Sequence, residues 1–160
     1  MDKLSRMIYK AELSLGVLFI SIFFVTIVIQ VVGRYTGVTV SWTGEVSSYS
    51  FIWAVFMGAG AMTYENKHFS FASLQEKLTG RKRELINIFI SLVIMLYSSA
   101  TLYYGIIIAK KFWNYRWISL PSIKMGYTWL CVPILGGTCT LFCINHLIKY
   151  FKNFSAGGIK

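Results

Sequence analysis

Charged side chains are scarce in this sequence, at 14% of its 160 residues; a soluble domain carries roughly 25%. They are also unevenly placed. Long uncharged windows alternate with short charged ones, a pattern that excludes an ordinary soluble core. Cysteine is limited to Cys131, Cys139 and Cys143, all in one apolar window. An odd count with no C-x-x-C pair excludes a disulfide framework and a thiol redox motif, and leaves buried inert thiols. Neither G-x-S-x-G nor H-E-x-x-H occurs, so the common hydrolase and zinc-protease signatures are missing.

Charge is missing at depth as well. The acidic residues are Asp2, Glu12, Glu45, Glu65, Glu76 and Glu84, and none falls in the middle of an apolar window. No Lys or Arg does either. Ion-coupled transporters and proton relays usually keep an ionisable group inside the membrane as the ion's partner. Unwound helix pairs can replace it, but only the last apolar window holds helix breakers, and no inverted half matches it. The chain is therefore expected not to form a complete transport pathway by itself. His68 and His146 sit near the ends of apolar windows; ordinary hydrogen bonding suits them better than axial haem ligation. No cofactor or metal is expected, and no enzymatic activity.

What is abundant is apolar: 56% hydrophobic and 17% aromatic residues. A helix needs about 20 apolar residues to cross a bilayer. Four windows qualify, at about 13–32, 46–64, 85–109 and 127–148. The first is too long for a secretory h-region and lacks a cleavage site after it. The fourth holds Pro133, Gly136 and Gly137, so a kinked helix is expected there. The fold class is all-α integral membrane protein, one membrane domain over residues 1–160. Between the second and third windows, Phe71, Leu74 and Leu78 share one helical face and Gly80 offers a stop, which predicts a short amphipathic helix at about 70–79 lying in the interface.

The net charge of +10 points to lipid headgroups and topology rather than nucleic acid, because Lys and Arg cluster at the window ends. With four crossings, the N-terminal segment, the second loop and the tail share a side and hold eleven Lys and Arg. The first and third loops hold five. The positive-inside rule then places both termini in the cytoplasm. Trp42, Trp113, Tyr115, Trp117, Tyr127 and Trp129 gather at window ends, as aromatic belts do. Lys110, Lys111 and Arg116 are candidates for lipid headgroups.

Several stripes read as packing surface. Ser47, Ser50, Ala54, Gly58 and Ala61 form one small-residue face in the second window. Asn87, Ser91, Ser98, Thr101 and Gly105 form another in the third, and Thr26, Gln30 and Arg34 step by four along the first. Some of these faces are expected to meet another protein. Arg34 and Glu45 bracket the first loop and are expected to pair, with each other or with a partner subunit.

An ordered set of residues then resembles a known family. Gln30-Val31-Val32-Gly33-Arg34-Tyr35 ends the first window. Ser41-Trp42, Glu45, Phe51-Ile52-Trp53, Phe56-Met57-Gly58-Ala59 and His68 follow in order, with Leu120-Pro121 and Trp129 before Pro133 later on. This is similar to the small, Q-type membrane subunit of TRAP (tripartite ATP-independent periplasmic) transporters, over essentially the whole chain. Where that family often has two adjacent acidic residues after the Trp, this chain has Gly44 and then Glu45. The resemblance implies a non-catalytic scaffold in a bacterial inner membrane. Its implied partners are a large M-type membrane subunit carrying sodium and substrate, a periplasmic substrate-binding protein, and membrane lipids. The implied cargo is a carboxylate-bearing organic acid such as a dicarboxylate or a sialic acid. Partner-interface candidates are Gln30, Arg34, Trp42, Glu45, Ser50, Trp53, Ala54, Gly58 and His68. The competing reading is a free-standing small membrane protein, either a homo-oligomeric exporter or a haem-anchoring subunit.

Overall fold

A chain surrounded by hydrocarbon must satisfy its backbone internally, so uncharged windows of this length fold as helices. The computed structural model describes residues 2–65 and 81–155. It contains α1 (Asp2–Thr36), α2 (Trp42–Glu65), α3 (Arg81–Phe112), the short α4 (Met125–Trp129) and α5 (Cys131–Ser155). Four helical stretches are long and apolar enough to cross a bilayer, the last formed by α4 and α5 together. The chain is an all-α membrane protein. The amphipathic segment expected at 70–79, and His68, lie outside the described residues.

The helices overrun the apolar windows. α1 has 35 residues, about 50 Å at 1.5 Å per residue, against a hydrocarbon core of about 30 Å. Its first turns carry Lys3, Arg6 and Lys10, all exposed. Its far end stops at Gly37, whose φ of 74° is strained for any residue with a Cβ. There the Val38 amide donates to the Gly33 carbonyl at 2.9 Å, the six-to-one bond of a Schellman stop.

The last crossing is divided at Leu130, which itself keeps a helical backbone (φ −61°, ψ −24°) and is bridged by bonds from the Leu130 and Ile134 amides to the Gly126 and Leu130 carbonyls, both at 3.2 Å. α4 ends at Trp129, and α5 begins at Cys131, two residues before Pro133. In the first turn of α5 the missing proline N–H forfeits no bond within that helix. Gly136 does not interrupt α5 either. A Cβ there would lie 2.5 Å from the Leu102 backbone nitrogen. Glycine lets α3 and α5 meet backbone to backbone.

The helices stand in an open row, in the order α1, α2, α5, α3. α1 and α2 run antiparallel, with ring pairs Tyr9–Tyr64, Phe19–Trp53 and Phe23–Phe51 down the seam. α5 joins the two hairpins. Cys139 Sγ donates to Thr63 Oγ1 of α2 at 3.3 Å, and His146 Nε2 donates to the Tyr64 carbonyl at 3.2 Å. Asn145 Nδ2 reaches Ser5 Oγ of α1 at 2.6 Å. α3 packs on α5 rather than on α1 or α2. This leaves a cleft of about 570 Å³ between α2 and α3, floored by Gly136 and Cys139 and flanked by Met62, Thr63, Tyr97 and Ser98. The large apolar side chains of α1 and α3, such as Leu18, Phe24, Phe89 and Leu96, point outward, where lipid or another membrane protein covers them.

Gly136→Val tests the backbone contact. Overpacking of this kind costs about 1–3 kcal/mol. The variant is expected to unfold at a lower temperature in detergent, followed by tryptophan fluorescence, whereas Gly137→Ala, with only Leu102 Cδ1 at 3.8 Å, is expected to behave as wild type.

Candidate functional site

The densest set of specific contacts is where the loop after α3 meets the start of α2. The loop is shaped by its own bonds. Leu120 and Ile123 close a turn over Pro121 at 3.0 Å, and the Met125 and Trp117 amides donate to the Tyr115 and Ile123 carbonyls at 2.8 and 3.1 Å. Arg116 Nη1 donates to the Pro121 carbonyl at 2.6 Å. The tip of the folded loop then presents two adjacent N–H groups to Glu45. Ile118 N donates to Oε1 at 2.8 Å and Ser119 N to Oε2 at 2.7 Å. Ser119 Oγ adds a bond to the Ser41 carbonyl at 3.3 Å.

Rings and a buried hydroxyl extend this clasp. Tyr49, one turn after Glu45, lies against Trp117 with centroids 4.6 Å apart. Trp117 Nε1 donates to Thr128 Oγ1 at 3.0 Å, and Thr128 is buried in α4. The carboxylate also sits in the first turn of α2, where the helix dipole favours negative charge. A hydrogen bond to a charged group is worth about 1.5–3 kcal/mol when shielded; solvent around Ile118 brings that bond to the low end. What the arrangement does is mechanical: one side chain of the α1–α2 hairpin holds the connection between α3 and α5.

The other candidates separate into inner and outer sets. Among the described residues no ion pair joins Arg34 to Glu45, whose two oxygens accept from the Ile118 and Ser119 amides. Arg34 is instead exposed with Gln30, on the rim of a shallow 340 Å³ notch that includes Gly33 and Val38. Ala54 and Gly58 present backbone to Gly16 of α1, with the Ala54 oxygen and Gly58 nitrogen both 3.8 Å from a Cβ built there. This part of the small-residue face is used within the chain. Ser50 is buried, Trp53 stacks on Phe19 and Trp42 is partly exposed. Lys110 and Lys111 are exposed. On α3, Asn87, Ser91 and Ser98 are buried.

The comparisons with known proteins fit this architecture. Residues 23–153 match the family model described as tripartite ATP-independent periplasmic transporters, DctQ component. The chain belongs to the DctQ family. A Haemophilus influenzae protein named as a TRAP transporter small permease is 26% identical over 163 residues, spanning 100% of this chain and 99% of that protein. The chain is thus a TRAP transporter subunit, of the small permease type, and a multi-pass protein of the inner membrane. The DctQ match begins inside α1 and ends inside α5, so it covers the whole clasp and both sides of the cleft.

Glu12 lies before the matched region, and the sequence places it at the edge of the first apolar window rather than within it. The structure puts it inside. It is 3% exposed, and among the described residues its carboxylate oxygens make no well-formed hydrogen bond; the neighbouring Thr138 hydroxyl is donated to the Ile134 and Leu135 carbonyls, and both oxygens would be 2.6 Å from a Cβ at Gly60. The chain accommodates this carboxyl by having no side chain opposite it. Window hydropathy gave no signal, because Glu12 stands one residue before the first uncharged stretch.

Two outcomes follow for variants. Glu45→Gln retains one acceptor but turns an amide NH₂ toward a donor; it is expected to cost about 1–3 kcal/mol and to speed tryptic cleavage at Arg116 and Lys124. Thermal unfolding and timed proteolysis read both effects. Glu12→Met, which removes a buried carboxyl without a well-formed hydrogen bond at similar volume, is expected to raise the unfolding temperature. A lowered midpoint would mean that the carboxyl holds something the fold requires.

Proposed function

We propose that the chain is the fixed, non-catalytic scaffold of a sodium-driven TRAP uptake system for organic acids of the dicarboxylate or sialic-acid type. In this reading it packs against a large M-type transport subunit, while a periplasmic binding protein delivers substrate from outside. Membership of the DctQ family carries the proposal. The clasped pair of hairpins supports it, because a support for a moving transport domain has to act as one body in the membrane. The exposed apolar sides of α1 and α3 supply surface for lipid and for the partner, and Gln30, Arg34 and Trp42 lie at the loop end of α1 and α2 where a partner can reach them.

The orientation belongs to the same proposal. Ser5–Asn145 joins α1 to α5 at one end of the row, and Glu45–Ser119 joins the hairpins at the other. The end with the termini carries most of the Lys and Arg, so both termini are cytoplasmic and the clasp is periplasmic. His68 would then be cytoplasmic.

Reconstitution tests the reading. Liposomes holding this chain with the neighbouring large subunit are expected to take up a carboxylate substrate when the binding protein and an inward sodium gradient are supplied, and this chain alone is expected to move none. Transport by this chain alone, or full-rate transport by the large subunit without it, would overturn the assignment. Glu45→Gln is expected to lower uptake and co-purification together, with substrate affinity of the binding protein unchanged.

A further inference from the structure

The loop end of the row carries unbalanced charge. No Asp or Glu follows Glu84 in the sequence, and among the described residues the acid at this end is Glu45, whose two oxygens are already taken by the Ile118 and Ser119 amides. Arg34, Lys110, Lys111, Arg116 and Lys124 stand against it. Arg116 is turned onto the Pro121 carbonyl. Lys110, in the last turn of α3, is exposed and has no carboxylate partner among the described residues.

Lys110 also stands at the mouth of a groove. A cavity of about 420 Å³ opens between the end of α3 and the start of α5, lined by Lys110, Asn114 and Trp113 at the loop end and by Ile106, Leu130 and Pro133 deeper in. Ile106 is one helical turn below Lys110 on the same face, and α3 continues from there toward the middle of the bilayer. The groove therefore runs from headgroup level into hydrocarbon, with its cation and amide at the wet end and its apolar residues at the dry end. Its Trp113 wall is held in place: a Cβ on Gly126 would be 2.6 Å from the indole, and Tyr127 packs on Trp113 with centroids 5.7 Å apart.

We propose that this groove is a binding site for one anionic phospholipid, with its phosphate on Lys110 and Asn114 and an acyl chain along Ile106, Leu130 and Pro133. A soluble anion would use the lysine and leave the apolar half unfilled. An acidic protein segment would do the same. A zwitterionic lipid would bring its own cation to a site that already has excess positive charge. The proposal requires only that the chain is embedded in a membrane, and stands whichever substrate the transporter carries.

Native mass spectrometry of the full-length chain in detergent tests it, by titration with phosphatidylglycerol, with phosphatidylcholine of the same chains, and with glycerol 1-phosphate. Phosphatidylglycerol is expected to form a one-to-one adduct in preference to phosphatidylcholine, and glycerol 1-phosphate none. Lys110→Gln is expected to weaken the phosphatidylglycerol adduct about fivefold, the worth of one basic residue at an anionic surface. Lys110→Arg is expected to keep it. Ile106→Trp, which puts a larger side chain into the groove from a partly exposed position, is expected to abolish it, and Lys10→Gln at the opposite end to change nothing. Tryptophan fluorescence melting checks that each variant is folded. Equal binding of the two lipids, binding of glycerol 1-phosphate as tight as the lipid, or an adduct that survives Ile106→Trp would overturn the site. Loss of a co-purifying membrane subunit from Lys110→Gln, with the lipid adduct intact, would assign the lysine to a protein partner instead and overturn it equally.

Discussion

The Glu45 carboxylate joins parts of the chain that are 73 and 74 residues apart. Much of the architecture depends on that bond pair. Without it, the loop between α3 and α4 would have two adjacent N–H groups with no acceptor in the protein, and at this end the hairpins would be joined only by the long Ser119–Ser41 bond and the Tyr49–Trp117 ring contact. The loop has to be folded before it can be clasped, which is why the Pro121 turn, the Tyr115 and Ile123 backbone bonds and the Arg116 bond matter. Each is local, and together they place both donors side by side. A carboxylate offers one oxygen to each donor, whereas a glutamine of the same length would offer one oxygen and turn its NH₂ toward the other.

The middle of the row is held differently. There the contacts are small residues, rings and sulfur: Gly16 against the backbone of Ala54 and Gly58, Gly136 against Leu102, Cys139 on Thr63. Lipid tails compete with apolar side chains on equal terms, so close backbone approach and short hydrogen bonds are what distinguish protein from lipid at this depth. Glu12 is the exception. Its carboxyl is accepted into the bundle beside Gly60, with no well-formed hydrogen bond among the described residues, toward the end of the row where Asn145 bonds Ser5.

Much of this was legible in the sequence. Uncharged length gave the four crossings, because hydrocarbon admits no other backbone solution. The ordered Arg34-Tyr35, Ser41-Trp42, Glu45 and Trp53 set gave the family. The helix ends were less legible: α1 extends well beyond 13–32, since helical bonding continues into the headgroup region where hydropathy falls. Glu45 was singled out for the right end of the molecule but with a different expected partner. Opposite charge is visible in a sequence, whereas a backbone amide made available by a turn is not. For the same reason Gly136 suggested a breaker, although it serves close packing against Leu102. Glu12 was unreadable because burial of a boundary residue is decided by which helix lies across from it.

The row of helices is fastened near both ends, by Glu45 at one and by Ser5, Asn145 and His146 at the other, while the 570 Å³ cleft stays open between them. A plank pinned at its two ends resists torsion along its length. The gap between α2 and α3 therefore cannot be widened or closed by swinging one hairpin past the other without breaking a tie. Whatever occupies that recess in the bilayer meets a notch whose two walls are tied to each other through α5 and through the Glu45 clasp.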